Sequence, residues 1–177
     1  MIEYRESGYE DGLPYNSPLT LDLILKAGVR FAPDQEIVYR NLKRFSYRML
    51  AERIKRLAAA LEALGVRQAV LDWDSHRYLE CFFAVPMLGA TLHTINIRLS
   101  PDQLLYTMNH AEDKIVLANA DFLPLLDGIA DRLETVKGYV LITDSGDKPA
   151  TILKLAAEYE EMLGNTSGNC RFPVLDE

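Results

Sequence analysis

The sequence predicts an α/β fold, a mainly parallel sheet with helices on both faces. Three observations carry that prediction. Ala69–Asp72, a helical stretch from about His76 to Leu88, and Ala90–Ile95 form one strand–helix–strand unit, the building block of parallel sheets. Two more short apolar runs, Lys114–Ala118 and Gly138–Thr143, follow with helical patterns before each. These runs are apolar throughout instead of alternating, which is the pattern of strands covered on both faces.

The elements follow in order. Residues 1–16 are polar and aromatic with Gly8, Gly12 and Pro14, and read as an extended arm lying on something else. Ser17-Pro18 starts a helix, and Leu19, Leu23, Ile24, Ala27 and Phe31 repeat along it until Pro33 and Asp34. Residues 1–34 are therefore set apart as arm and first helix, and residues 35–177 as the α/β body. Gln35–Tyr39 and Arg44–Tyr47 flank Asn41-Leu-Lys as a small hairpin, either at the sheet edge or separate from it. Ser46 can cap the next helix, in which Leu50, Ala51, Ile54, Leu57, Ala58, Leu61 and Leu64 share a face. Glu52, Arg53, Lys55, Arg56 and Glu62 fall mostly on the opposite side, and Gly65 supplies the stop. Pro86 and Gly89 break the helix of the central unit.

Ser100-Pro-Asp-Gln103 then has the form of a capping box with proline at the first turn, opening a helix to about His110 or Ala111. Phe122–Leu133 reads as a helix reshaped at Pro124, Asp144-Ser-Gly-Asp as a surface turn, and Thr151–Leu163 as a last helix with Ile152, Leu155, Ala156, Tyr159 and Leu163 apolar.

Composition bounds the function classes. With 177 residues, 49% apolar and 25% charged, the chain can bury a real core. A formal charge of -7 argues against non-specific nucleic-acid binding. No run reaches the roughly 18 apolar residues of a membrane span, and the acidic N-terminus lacks the order of a signal peptide. Cys81 and Cys170 make no disulfide framework, which points to a reducing cytoplasm.

Catalytic motifs are sparse. No glycine-rich phosphate loop, no H-E-x-x-H and no G-x-S-x-G elbow is present, and His76, His93 and His110 fall in different elements. Asp72 and Asp74 flank Trp73 at the carboxyl end of a parallel strand, where open α/β folds place their ligands. They bind there or, as the simpler role, hold the turn and cap the helix. His93, Asn96 and Arg98 sit together near the end of the next strand. A histidine, an amide and a guanidinium can bind an anion or orient a substrate, or Asn96 ties its own loop while Arg98 pairs locally. These five are pocket or structural candidates. No residue is assigned to catalysis, to a cofactor or to a metal.

Residues 71–126 contain LDWDSHRYLE, GATLHTINIRLSP and NHAEDK, the last being Asn109–Lys114. This stretch resembles the N-terminal region of medium- and long-chain fatty-acyl-CoA ligases, members of the adenylate-forming superfamily. Phe45-Ser-Tyr and Phe172-Pro173 fit as well, so the resemblance covers nearly the whole chain. It implies an N-terminal subdomain of an acyl-CoA synthetase-like fold, cut before the family's TSGTTGxPKG loop. The complete enzyme would use ATP, Mg2+ and coenzyme A to convert a fatty acid to acyl-CoA through an acyl-adenylate, and this portion alone is expected to be inactive. Its implied partners are the rest of the polypeptide and the fatty acid, with room for a homodimer. One departure is the link Gly65-Val-Arg-Gln-Ala-Val-Leu, several residues shorter than in the family. The alternatives are a stand-alone non-catalytic α/β module for binding or assembly, and an unrelated flavodoxin-like domain. Against the latter, Asp72-Trp-Asp-Ser would place two negative charges where a phosphate should sit.

Overall fold

The computed structural model describes residues 20–64 and 67–175. The expected arm over residues 1–16, the Ser17-Pro18 cap and the Gly65 stop lie outside them.

Helix α1 (Leu21–Phe31) leads into a hairpin of β1 (Glu36–Tyr39) and β2 (Lys43–Ser46). The hairpin forms a two-stranded antiparallel sheet of its own, with Tyr39 opposite Lys43. Its turn has no glycine, and Arg40 takes the left-handed φ of 49° instead. Helix α2 (Tyr47–Leu64) begins where the Ser46 hydroxyl accepts the Met49 amide at 3.3 Å. It buries Leu50, Ile54, Leu57, Ala58 and Leu61, the predicted face.

The body is a five-stranded, wholly parallel sheet in the order β4-β3-β5-β6-β7. Its members are β3 (Arg67–Leu71), β4 (Thr91–Thr94), β5 (Ile115–Asn119), β6 (Gly138–Ile142) and β7 (Leu155–Glu158). Every residue of β5 and β6 is buried. Strand alternation sends Ile115, Leu117, Val140 and Ile142 to one face and Val116, Ala118, Tyr139 and Leu141 to the other. The first face packs on α2, α3 (His76–Met87) and α6 (Tyr159–Asn165) through Ile54, Leu57, Ala84 and Tyr159. The second packs on α4 (Pro101–His110) and α5 (Leu123–Asp127) through Leu104, Met108, Leu123 and Leu126. Helices therefore cover both faces, as the sequence predicts.

Two elements depart from expectation. Thr151–Leu163 is not one helix. Leu155–Glu158 adds β7 to the sheet, and the helix starts only at Tyr159. The free edge of β6 outweighs local helix propensity in that stretch, because its amide and carbonyl groups need partners. Tyr139 N–H donates to the Lys154 carbonyl, and a register shift between Tyr139 and Val140 accommodates the join. Ile152, expected on an apolar helix face, is 78% exposed. Phe122–Leu133 likewise splits into α5 flanked by 3-10 turns at Ala120–Phe122 and Ala130–Arg132. By contrast, α3 tolerates Pro86 in its last turn and ends at Met87, with Gly89 turning at φ 75°. No helix among the described residues is long and apolar enough to cross a membrane.

Candidate functional site

From β3 the chain crosses to β4 on one side and returns to β5 on the other, so the carboxyl ends of β3 and β5 flank the switch point where such sheets take ligands. Side chains fill that point. Asp72, 4% exposed, accepts Asn119 Nδ2 at 2.8 Å on Oδ1 and the Ser75 hydroxyl on Oδ2. Ser75 in turn caps α3, accepting the amides of Arg77 and Tyr78 at 3.1 and 3.4 Å. Burial raises the Asp72 carboxyl above its ordinary value, and the Ser75 and Asn119 hydrogen bonds oppose that only partly. Beside this pair, Trp73 Nε1 donates to Asp121 Oδ2 at 2.9 Å, and the indole packs on Phe122 with centroids 5.0 Å apart.

The other predicted candidates divide. Asp74 is exposed next to Trp73. Asn96 follows β4 at the same rim, and its Oδ1 accepts the Arg98 amide at 3.0 Å, tying its own loop. The Arg98 side chain is exposed. His93 has a different partner: its Nδ1 lies 2.8 Å from Asp113 Oδ2, and Asp113 is buried in the turn that leads into β5. The structure thus brings Asp72 and Trp73 together with Asn119 and Asp121, and pairs His93 with Asp113.

A second polar cluster was not legible as a unit. Arg53, expected on the outer face of its helix, points inward with 14% of its side chain exposed. It donates Nε to Glu80 Oε1 at 2.6 Å and Nη1 to Glu160 Oε2 at 2.9 Å. Arg77 bridges Glu160 at 3.1 Å, Asp144 at 2.7 Å and the Thr143 carbonyl at 3.0 Å. Tyr159 donates its hydroxyl to Glu80 at 2.7 Å. Burial raises the Glu160 carboxyl, but His76 and Arg53 hydrogen bonds and the charges of Arg53 and Arg77 outweigh it and hold it far below the usual carboxylate range. The available signal was Glu80 inside the apolar run LECFFAV, since a buried carboxylate needs a cationic partner.

This arrangement orients loops and clamps layers. It does not suit a triphosphate, because Asp72 and Asp121 stand at the switch point without a glycine-rich loop of backbone donors. Nor do the described residues contain a cluster of three metal-ligating side chains.

Comparison with known proteins gives the family of the chain. The chain is 39% identical over 160 residues to a long-chain-fatty-acid–CoA ligase of Thermus thermophilus, covering 86% of this chain and 28% of that enzyme. It is 38% identical over 132 residues to a 3-methylmercaptopropionyl-CoA ligase of Ruegeria pomeroyi, covering 72% of this chain and 24% of that enzyme. A crystal structure of a putative long-chain-fatty-acid CoA ligase from Rhodopseudomonas palustris shares the fold, with a TM-score of 0.72 at 23% identity, over 90% of this chain and 39% of that one. This chain thus spans about a quarter of the two curated relatives' length. Residues 25–169 match the family described as AMP-binding enzyme, and the chain belongs to that family.

Proposed function

We propose that this chain is the N-terminal portion of an ATP-dependent acyl-CoA ligase acting on a fatty acid. Residues 35–177 form its α/β subdomain, and residues 1–34 an arm and first helix. The observation that carries the reading is the 39% identity to a long-chain-fatty-acid–CoA ligase across 86% of the chain. The complete enzyme would join a carboxylate to AMP with release of pyrophosphate, then pass the acyl group to the thiol of coenzyme A with release of AMP. The anhydride makes the carboxyl carbon electrophilic, and the thiolate attacks it. ATP, Mg2+ and coenzyme A are handled by parts of the enzyme beyond these residues, because the donors at the acidic switch point, Asn119 Nδ2 and Trp73 Nε1, are already bound to carboxylates. Within this portion the Asp72–Asn119 and Arg53–Glu80–Glu160 pairings hold a rigid wall, and the portion alone does not turn over.

The test is pyrophosphate release with fatty acids of graded length, measured on the whole product of the reading frame and on residues 1–177 alone. Carboxylate-dependent release by the whole product and none by the short chain is the expected result. An inactive but folded whole product, or turnover by residues 1–177 alone, overturns the reading.

A further inference from the structure

One buried group in the polar cluster behind the hairpin lacks a partner. His76 opens α3 and is 4% exposed. Its Nε2 lies 3.4 Å from Glu160 Oε1, while Nδ1 is buried with no hydrogen-bond partner among the described residues. Tyr39 and Phe45 of the hairpin flank the ring, with centroids 5.4 and 5.7 Å away. Leaving a buried polar atom bare costs about 1–3 kcal/mol, so such an atom marks a missing partner. His76 also lines a cavity of about 260 Å³, set between the hairpin and the carboxyl ends of β6 and β7. One water needs only roughly 10–15 Å³, so the space is that of a small molecule.

The lining selects the chemistry of the occupant. Asp144, Glu158 and Glu160 stand in it against Lys43 and Arg77, three carboxylates to two cations. Each nitrogen of Arg77 already donates: Nε to Glu160 Oε1, Nη1 to Asp144 Oδ1 and Nη2 to the Thr143 carbonyl. The carboxylates keep capacity to accept. Glu158 uses Oε2 for the Glu161 amide at 2.8 Å, which leaves Oε1, and Asp144 Oδ2 receives the Tyr39 hydroxyl at 3.4 Å. Glu160 stays a carboxylate, so the hydrogen between it and His76 sits on Nε2, and in the uncharged ring that makes Nδ1 an acceptor. We propose that this cavity binds a small free amine as its ammonium ion, which donates to His76 Nδ1 and balances the Asp144 and Glu158 carboxylates. One positive charge evens the lining and a second overshoots it, so the ligand is a monoamine. Water filling the same space leaves the charge uneven. The site uses none of Asp72, Trp73 or Asn119 and does not rest on the ligase reading.

Titration with ethylammonium chloride tests it, on the whole reading-frame product with its histidines labelled for nitrogen NMR. The His76 ring signals are those lost in His76→Phe. A saturable change of the Nδ1 signal is expected with ethylammonium, and none with tetramethylammonium, which carries the charge without an N–H, at equal ionic strength. By calorimetry, His76→Phe and Glu158→Gln should each bind ethylammonium about tenfold more weakly than wild type. Glu158→Gln keeps an oxygen for the Glu161 amide, so it carries the comparison if His76→Phe does not fold, with His76→Gln then serving for assignment. Equal responses to the two cations mean screening only and overturn the proposal, as does the absence of any saturable response. A proton on Nδ1 before titration overturns it, because the nitrogen is then a donor. An Nδ1 already hydrogen-bonded and unresponsive overturns it in favour of water or an amine of the polypeptide itself. Tighter binding of acetate than of ethylammonium gives the cavity to anions through Lys43, and unchanged affinity in both variants places the amine elsewhere; each overturns it. Ligase activity, present or absent, alters none of these readings, so the two proposals fail separately.

Discussion

The Asp72 carboxylate takes the Asn119 amide at 2.8 Å, bridging the two strands between which the winding of the sheet reverses. Both residues are buried, so the Asn119 amide N–H and Asp72 Oδ1 have each other as partners away from water. Asp72→Ala and Asn119→Ala are each expected to cost about 1–3 kcal/mol, because a buried partner is left unsatisfied. The double variant should lose less than the sum, with a coupling of about 0.5–3 kcal/mol in urea unfolding. Strict additivity would mean the bond contributes nothing. Asp72→Asn should be milder than Asp72→Ala, since it keeps an oxygen for Asn119 and removes a charge that burial disfavours.

Arg53 is the only described cation within hydrogen-bonding distance of Glu80, whose side chain is fully buried. Arg53→Met therefore strands a carboxylate inside the protein and should cost about 3–5 kcal/mol. Adding Glu80→Gln should recover part of that loss, because the amide can still meet the Tyr159 hydroxyl. Chemical denaturation of the three proteins decides it. A double variant no better than Arg53→Met alone would show that packing of the arginine stem, not charge, dominates.

Glu160 gives a pH dependence of definite sign. Its folded-state value is depressed, so its contribution is full above the ordinary glutamate value and is lost progressively as pH falls from there through the folded value. The stability gap between wild type and Glu160→Gln should therefore persist from pH 7 to about pH 5 and narrow progressively at more acid pH. Asp72 runs the other way: its folded value is raised, so stability linked to it is greatest below the ordinary aspartate value and declines as pH rises through the folded one. Thermal melts of Glu160→Gln and Asp72→Asn against pH separate the two. A Glu160 gap that closes already between pH 5 and pH 4 would contradict the depressed value.

Local chemistry was legible and tertiary partnership was not. Ser100 shows the first. Its hydroxyl accepts the Gln103 amide at 3.4 Å while Gln103 Oε1 accepts the Ser100 amide at 3.1 Å, as four adjacent letters predict. Ser100→Ala should cost about 1 kcal/mol by thermal melting, with Ser100→Gly closer to wild type. Leu155–Glu158 shows the second, since helix-forming alanines became a strand only because β6 had an open edge. Arg53 is similar: its helical position allows it to face outward, and two carboxylates from distant segments turn it in. At the candidate site, the place of Asp72 at a strand end was legible from strand polarity, whereas Asn119 and Asp121 meet Asp72 and Trp73 only through strand order, which sequence spacing does not encode.

Trp73 is the single tryptophan of the chain, so its emission reports on the switch point directly. The indole is 39% exposed and is held by Asp121 at 2.9 Å and by the Phe122 ring. Asp121→Ala removes the acceptor, so the emission should shift to longer wavelength and acrylamide quenching should rise. The stability cost should be only about 0.5–1.5 kcal/mol, since the freed N–H can reach water. The same probe tests the electrostatics of the rim. The Asp72 and Asp121 carboxylates stand at the point where a phosphate would have to sit, so ATP with Mg2+ added to residues 1–177 should leave the emission unchanged. A saturable change that disappears in Asp121→Ala would show that this end of the sheet binds nucleotide after all. The chemistry assigned to the rest of the polypeptide would then begin within these residues.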